Sequence, residues 1–215
     1  MKISFHNSIE EISRESWDAL IGDLNYPFLK HDFLKTLEIT NCVGTNTGWI
    51  PIHITIERDK ELIAAMPLYL KSHSQGEFVF DHAWANAFYQ HGLDYYPKLV
   101  SSIPHTPASG PRFLLKDGEE KSVLFEKIKE GVKMISSKNN ISSWHILFPE
   151  KDEINFYENS QLSIRKNAQF IWFNKNYKNF ENYLENFRSR HRKNVLKERN
   201  KIKEQDLIIE TLSGE

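Results

Sequence analysis

One cysteine, Cys42, stands in 215 residues, so the chain closes no internal disulfide and builds no thiolate metal cluster. That scarcity fits a reducing compartment. Long apolar runs are missing too: nothing approaches the roughly 18 consecutive apolar residues of a membrane-spanning helix. Near the start, Glu10, Glu11 and Glu15 interrupt what would be the apolar stretch of a signal peptide, and a cytoplasmic protein is the expectation. No charge sign dominates, since 28 Lys+Arg against 29 Asp+Glu leave a net charge of -1. A surface built as a whole to coat nucleic acid or an anionic membrane is thereby excluded, and any such role has to be local. Neither an internal repeat nor a low-complexity linker divides the chain, and one domain over residues 1–215 is expected.

What is present is an ordinary globular composition, 40% hydrophobic and 27% charged, which excludes a disordered chain. Residues 2–6 alternate weakly and predict a short strand. Ser13 is placed to cap a helix carrying Trp17, Leu20 and Ile21 on one side, and Phe28, Phe33, Leu34 and Leu37 predict a second helix ending before Asn41. In the segment 49–70, Ile50, Ile52, Ile54 and Ile56 alternate with polar residues, Arg58-Asp59-Lys60 turn the chain, and Leu62, Ala64, Met66, Leu68 and Leu70 alternate again. This is a β-hairpin. Phe78, Val79 and Phe80 read as a third strand, and the aperiodic stretch that follows, to about residue 112, is rich in aromatics and prolines. A long ordered loop of that kind is uncommon unless it shapes a site. Leu124, Ile128, Val132 and Ile135 predict a long helix closed by Asn139-Asn140. Residues 143–148 and 163–175 read as strands, Asn179 and Ser189 as caps of a short and a longer helix, and 207–215 as another strand followed by the beginning of a loop. This order lacks the regular strand–helix alternation of a doubly wound parallel sheet and predicts a mixed α+β fold.

The densest chemistry lies between residues 67 and 112: Pro67-Leu68-Tyr69-Leu70-Lys71, Ser74, Gly76-Glu77, Val79-Phe80-Asp81, Trp84-Ala85, Tyr95-Tyr96-Pro97-Lys98-Leu99, Thr106-Pro107 and Gly110-Pro111-Arg112. Together with Pro27-Phe28, Phe33-Leu34, Leu37-Glu38 and Gly48-Trp49 upstream and the basic stretch Arg188 to Arg199 downstream, these residues resemble the FemAB-like N-acyltransferases, a branch of the GNAT acyltransferase superfamily. The resemblance implies an α+β, GNAT-like fold, a mixed and mainly antiparallel sheet flanked by helices. It implies transfer of an acyl or aminoacyl group to an amine in peptidoglycan precursor metabolism, with no tightly bound cofactor and with acyl-CoA or aminoacyl-tRNA as donor substrate. Family members carry two such lobes, and this chain corresponds to the first; docking with a second lobe, or a homodimer, is implied. The chain departs from simple GNAT enzymes in lacking the Arg/Gln-x-x-Gly-x-Gly/Ala loop that holds the coenzyme A pyrophosphate at a helix start.

Read from the residues, such a transfer needs a base for the attacking amine and a surface for an anionic carrier. Glu77 and Asp81, with His82 beside them, supply carboxylates that would share one face of a strand, where two carboxylates raise each other's pKa. They are candidate catalytic residues; alternatively they pair with Lys71, Lys98 or Arg112 and fix the loop. Lys71, Trp84, Tyr95, Tyr96, Lys98 and Arg112 are candidate substrate-binding residues, the aromatics equally readable as loop packing. His73, His82 and His91 lack the i, i+4 or i, i+2 spacing usual for metal ligands, and no metal is expected; a metal-dependent hydrolase stands as a third reading behind acyl transfer and a non-catalytic binding lobe. Arg188, Arg190, Arg192 and Lys193 crowd a helix start against its dipole. The cluster reads either as an anion site for a carrier such as tRNA, or as a solvated or docked basic face.

Overall fold

The structure, a computed structural model, describes residues 1–22, 25–168, 170–205, 207–208 and 210–213. The chain divides into two compact units, Met1–Arg165 and Lys166–Glu215. In the first unit the elements run β1 (Lys2–His6), α1 (Arg14–Ile21), α2 (His31–Ile39), β2 (Trp49–Pro51), β3 (His53–Arg58), β4 (Glu61–Met66), β5 (Tyr69–Lys71), α3 (His82–Gln90), β6 (Lys98–Ser101), β7 (Leu114–Leu115), α4 (Lys121–Asn139), β8 (Trp144–Ile146) and α5 (Ile154–Asn159). The second unit holds α6 (Phe180–Leu184) and α7 (Ser189–Lys203). The result is a mixed α+β fold with sheets flanked by helices.

The predicted hairpin forms and then divides between two sheets. Asp59 and Lys60 both take left-handed backbone, φ +51° and +68°, the primed turn whose twist suits adjoining antiparallel strands. β3 and β4 pair across it in a sheet of order β1-β3-β4-β7, and the same two arms continue as β2 and β5 in a second sheet of order β2-β5-β6-β8. Pro51 and Pro67, which have no N–H to donate, flank the crossing, while the Ile52 N–H still donates to Leu68 O at 2.8 Å and keeps the arms in register. Among the described residues every strand pairing is antiparallel except β6 with β8, which is parallel.

Both faces of the first sheet are covered, which explains the apolar run Leu62–Met66. Ala64 and Met66 pack with Ile54, Ile56 and the α4 stripe Leu124, Phe125, Ile128 and Val132, while Leu62, Ala65 and Leu114 pack with Trp17, Leu20, Ile21 and Leu34. Gly131 lets α4 approach closely, because a Cβ there would stand 2.8 Å from Ile54 Cδ1. Ser13 caps α1 as expected, its side chain accepting from the Ser16 N–H.

Several expectations are corrected. Helix α2 starts at His31, after a single 3₁₀ turn at Pro27–Leu29 that holds Phe28. Residues 78–80 form no strand; Phe78 takes a left-handed φ of +56° that breaks an extended run. The stretch after them is not a continuous loop but contains α3 and β6. Among the described residues of 163–175 there is no strand, and the same holds for 207, 208 and 210–213; the remainder of the last predicted strand lies outside the described residues. Asn179 caps α6 through its side chain, whereas Ser189 is the first residue of α7 and caps nothing; Arg188 occupies the cap position without a side-chain bond.

Candidate active site

Register on the second sheet sets the site. Trp49 on β2 stands opposite Lys71 on β5, and Lys71 stands opposite Lys98 on β6. Two like charges directly across a ladder destabilise it unless something compensates, and both lysines are fully buried. The loop after β5 supplies the compensation. It folds back over the sheet through Gly76, whose φ of +78° and whose missing Cβ, which would fall 2.6 Å from His105 Nδ1, admit no other residue without strain.

The returning loop drives Glu77 and Asp81 onto Lys98. Lys98 Nζ donates to Glu77 Oε2 at 2.8 Å, to Asp81 Oδ2 at 2.6 Å and to Ser74 Oγ at 2.8 Å. Asp81 Oδ2 also accepts from Ser74 Oγ at 2.8 Å and from Tyr95 OH at 2.8 Å, and Ser74 Oγ shares a 2.7 Å bond with Tyr96 OH. Glu77, Asp81 and Lys98 are at most 1% exposed, whereas Ser74 and Tyr96 are half-buried and form the outer side of the set. Asp81 stands at the N-cap position of α3, yet its carboxylate turns inward and leaves the helix start uncapped. Lys71 Nζ lies 3.7 Å from the centre of the Trp49 ring and donates to Gln75 O at 3.1 Å, the carbonyl that Trp49 Nε1 also reaches at 3.1 Å.

Electrostatics separate the two carboxyls. Burial pushes Glu77 above the usual carboxylate range, more than Lys98 pulls it down, and its Oε1 is buried without a partner. Burial acts on Asp81 in the same direction, but the bonds from Lys98, Ser74 and Tyr95 together outweigh it and hold Asp81 low. Lys71 is brought down to about 7, first by burial and then by Lys98, with Glu77 opposing. His145 on β8, its ring 6.1 Å from that of Tyr95, falls to about 4 for the same two reasons, burial and then Lys98, so it is neutral near pH 7.

The FemAB-like family, described as peptidoglycan biosynthesis/recognition, matches residues 8–215. The chain belongs to that family. No curated protein matches this FemAB-like chain by sequence. Among solved structures it is similar to aminoglycoside antibiotic 6'-N-acetyltransferase AAC(6')-IG from Acinetobacter haemolyticus, at 11% identity over 81% of this chain and 98% of that one, TM-score 0.48. It is similar to ribosomal-protein-alanine N-acetyltransferase from Brucella melitensis biovar Abortus 2308, at 8% identity over 80% and 100%, TM-score 0.48. A third, aminoglycoside N-acetyltransferase AAC(6')-Iy in complex with CoA, shares 10% identity over 81% and 94%, TM-score 0.48.

Other candidate residues of the FemAB-like chain lie elsewhere. His82, first residue of α3, is exposed and joins no carboxylate, because the helix carries it away from the inward Asp81. Trp84, in the first turn of the same helix, is 54% exposed. Arg112 is buried but meets only carbonyls, donating to Leu147 O at 2.8 Å, Gly110 O at 3.0 Å, Pro111 O and Ala108 O. It clamps the 108–112 loop to the chain after β8, and no hydrogen bond or ion pair joins it to Glu77, Asp81 or Lys98. Among the described residues no three His, Cys, Asp or Glu side chains gather as a metal site; His82 and His91 are exposed at the two ends of α3.

In the second unit, Arg192 has a partner that the sequence did not reveal. Its guanidinium donates to Leu184 O at 3.1 Å and to Glu185 O and Phe187 O at 3.3 Å, closing the carbonyl end of α6. Cations are favourable at a helix C-terminus, so this arginine resolves the dipole conflict read at the start of α7. Arg188, Arg190 and Lys193 remain exposed. Ser74 and His145 went unassigned in the sequence reading, the first because a lone serine carries no spacing signal, the second because it sits in a plain apolar alternation.

Proposed function

We propose that this chain is the N-terminal, GNAT-like lobe of an N-acyltransferase that moves an acyl or aminoacyl group onto an amine of a peptidoglycan precursor. The observation that carries the reading is the pair of buried carboxyls on one lysine whose environments drive their pKa values apart, the usual mark of divided acid–base roles. As the C–N bond forms, the donor's thioester C–S or ester C–O bond breaks, and the proton shed by the amine passes on to the departing thiolate or alkoxide. Glu77, pushed up and with a free Oε1, is the acceptor; Asp81 stays ionised and holds Lys98, Ser74 and Tyr95 in place. Ser74 and Tyr96 lead from the buried set toward the surface. Acyl-CoA or aminoacyl-tRNA is the donor; within the second unit, Arg188, Arg190 and Lys193 at the start of α7 are the candidate contacts for a carrier's phosphates. A second lobe or a second copy completes the substrate cleft in the cytoplasm, so the chain alone is inactive.

The test is transfer from acetyl-CoA and from aminoacyl-tRNA to a nucleotide-linked cell-wall precursor, with the second lobe supplied. Glu77→Gln should lower kcat by about 10²–10⁴ with KM and melting temperature little changed. Unchanged turnover overturns the assignment. A second reading, a non-catalytic binding lobe, is favoured by the near-zero exposure of Glu77, Asp81 and Lys98. It requires that any loss in Glu77→Gln follow the loss of folded protein.

A further inference from the structure

Residues 77–81, Glu-Phe-Val-Phe-Asp, are folded inside out. Glu77 and Asp81 are buried, while Phe78 and Phe80 are 56% and 81% exposed. Burial preferences run the other way, and Phe78 also holds a left-handed φ of +56°, rare for a bulky ring. Lys98 accounts for the inward carboxylates. Among the described residues neither Phe78 nor Phe80 joins a core cluster, and local preferences broken twice in five residues are expected where a ligand sets the conformation. The outward side continues into α3 at Trp84. Arg165 ties the two together: its Nη2 donates to Phe80 O at 2.6 Å and its guanidinium lies 5.7 Å from the Trp84 ring centre.

Apart from Arg165, the polar chemistry beside these rings is uncharged. From residue 78 to 93 the sole Asp, Glu, Lys or Arg is the buried Asp81, and the exposed polar side chains are His82, Asn86, Tyr89, Gln90 and His91. An anionic bilayer or a nucleic acid calls for a cluster of Lys and Arg, which this stretch lacks. A saccharide ring fits instead: its C–H face packs on an aromatic face, while its hydroxyl and acetamido groups bond to amides and imidazoles. The geometry points to a glycan subsite formed by Phe78, Phe80 and Trp84, which takes the neutral N-acetylated sugar rings of the acceptor beside the carboxylate set. The inference rests on the reading of the chain as a peptidoglycan-directed transferase and adds what part of that substrate this lobe holds.

Calorimetric titration with tri-N-acetylchitotriose tests it, using the full chain and the variants Phe80→Ala and Trp84→Ala. Both side chains are exposed, so the variants should melt like the parent. Saturable binding that salt does not weaken, reduced about tenfold or more by either substitution, supports the subsite. Absence of binding at millimolar sugar overturns it. So does binding to phosphatidylglycerol vesicles, or a dimer, that the same substitutions abolish while the sugar does not bind; the face then serves a lipid surface or a second copy. Transfer to a sugar-free amine acceptor separates this inference from the reading beneath it. Turnover there without sugar binding sinks the subsite alone, and sugar binding without turnover on any acceptor sinks the transferase reading alone.

Discussion

Replacing Lys98 by Met removes the one cation that Glu77, Asp81 and Ser74 share and leaves two carboxyls in a site at most 1% exposed. Methionine fills the stem volume, so the cost is electrostatic rather than a cavity. Breaking a buried ion pair by deleting one partner costs about 3–5 kcal/mol, more than the net worth of the pair, because the stranded charge keeps its desolvation penalty. For a unit of this size that corresponds to a fall in melting temperature of roughly 6–20 °C. The cost should depend on pH in a defined direction. Without Lys98, Glu77 stands still further above its unfolded value, since burial already outweighs the lysine there, and Asp81 loses the largest of the bonds that hold it low. A carboxyl raised in the fold loses stability as pH rises through the window between its unfolded and folded values. The deficit of Lys98→Met should therefore be smaller near pH 4, where the raised Glu77 carboxyl is protonated, and full near pH 8. Urea unfolding at the two pH values measures it, and the double variant Lys98→Met, Glu77→Gln should recover part of the loss at pH 8. A deficit below about 1 kcal/mol at pH 8, or one independent of pH, would refute the claim that this ion set organises the loop.

Lys71 is lowered to about 7 against an unfolded value of roughly 10.4, so between those values the unfolded chain binds more protons and wild-type stability rises with pH. Lys71→Met should therefore raise the melting temperature most below pH 7 and progressively less toward pH 10; equal effects at pH 6 and pH 9 would contradict this. In the second unit, Arg192→Ala should destabilise α6 and α7 by about 1 kcal/mol through three lost carbonyl bonds, seen as faster amide exchange at 184–192. Arg190→Ala with Lys193→Ala should leave stability unchanged but weaken tRNA binding, each lost phosphate contact flattening the log–log salt slope by roughly 0.7–0.9; an unchanged slope would remove the carrier role.

The elements legible from residue order alone are those whose burial leaves a period. The hairpin showed its alternation and its turn, and α4 showed Leu124, Ile128 and Val132, all buried. Helix α3 had no such signal, because Ala85 is its single buried residue and Trp84 and Tyr89 face water. Helix α5 buries only Tyr157. Residues 170–173, Phe-Ile-Trp-Phe, have strand composition, yet all four are exposed and none lies in a strand. Their composition records a preference for a pleated, half-buried surface, which is not the surroundings they have here. At the site, Glu77 and Asp81 were expected on one face of a strand. They do point the same way, but through a tight loop rather than a pleat.

What residue order could not show is why the loop must return. Lys71 and Lys98 are 27 positions apart and become neighbours only when β5 pairs with β6 in the observed register. Slipping β6 by one residue against β5 would turn Lys98 to the other face and put Leu99 in its place. The carboxylates would then lose the cation they share. Their burial would cost more than the loop could recover, and residues 77–81 would be free to turn Phe78 and Phe80 inward. Strand register, the ion set and the outward aromatic face are therefore one cooperative choice. Lys98 belongs to the strand and to the loop at once, so a substitution there should disturb the exposure of Phe80 and Trp84 as well as the ionisation of Glu77. Fluorescence quenching of Trp84 in Lys98→Met, with acrylamide as quencher and Trp84→Ala as the subtraction control, reads this directly. Unchanged accessibility alongside lost stability would show that the aromatic face is held by Arg165 alone and is independent of the ions beneath it.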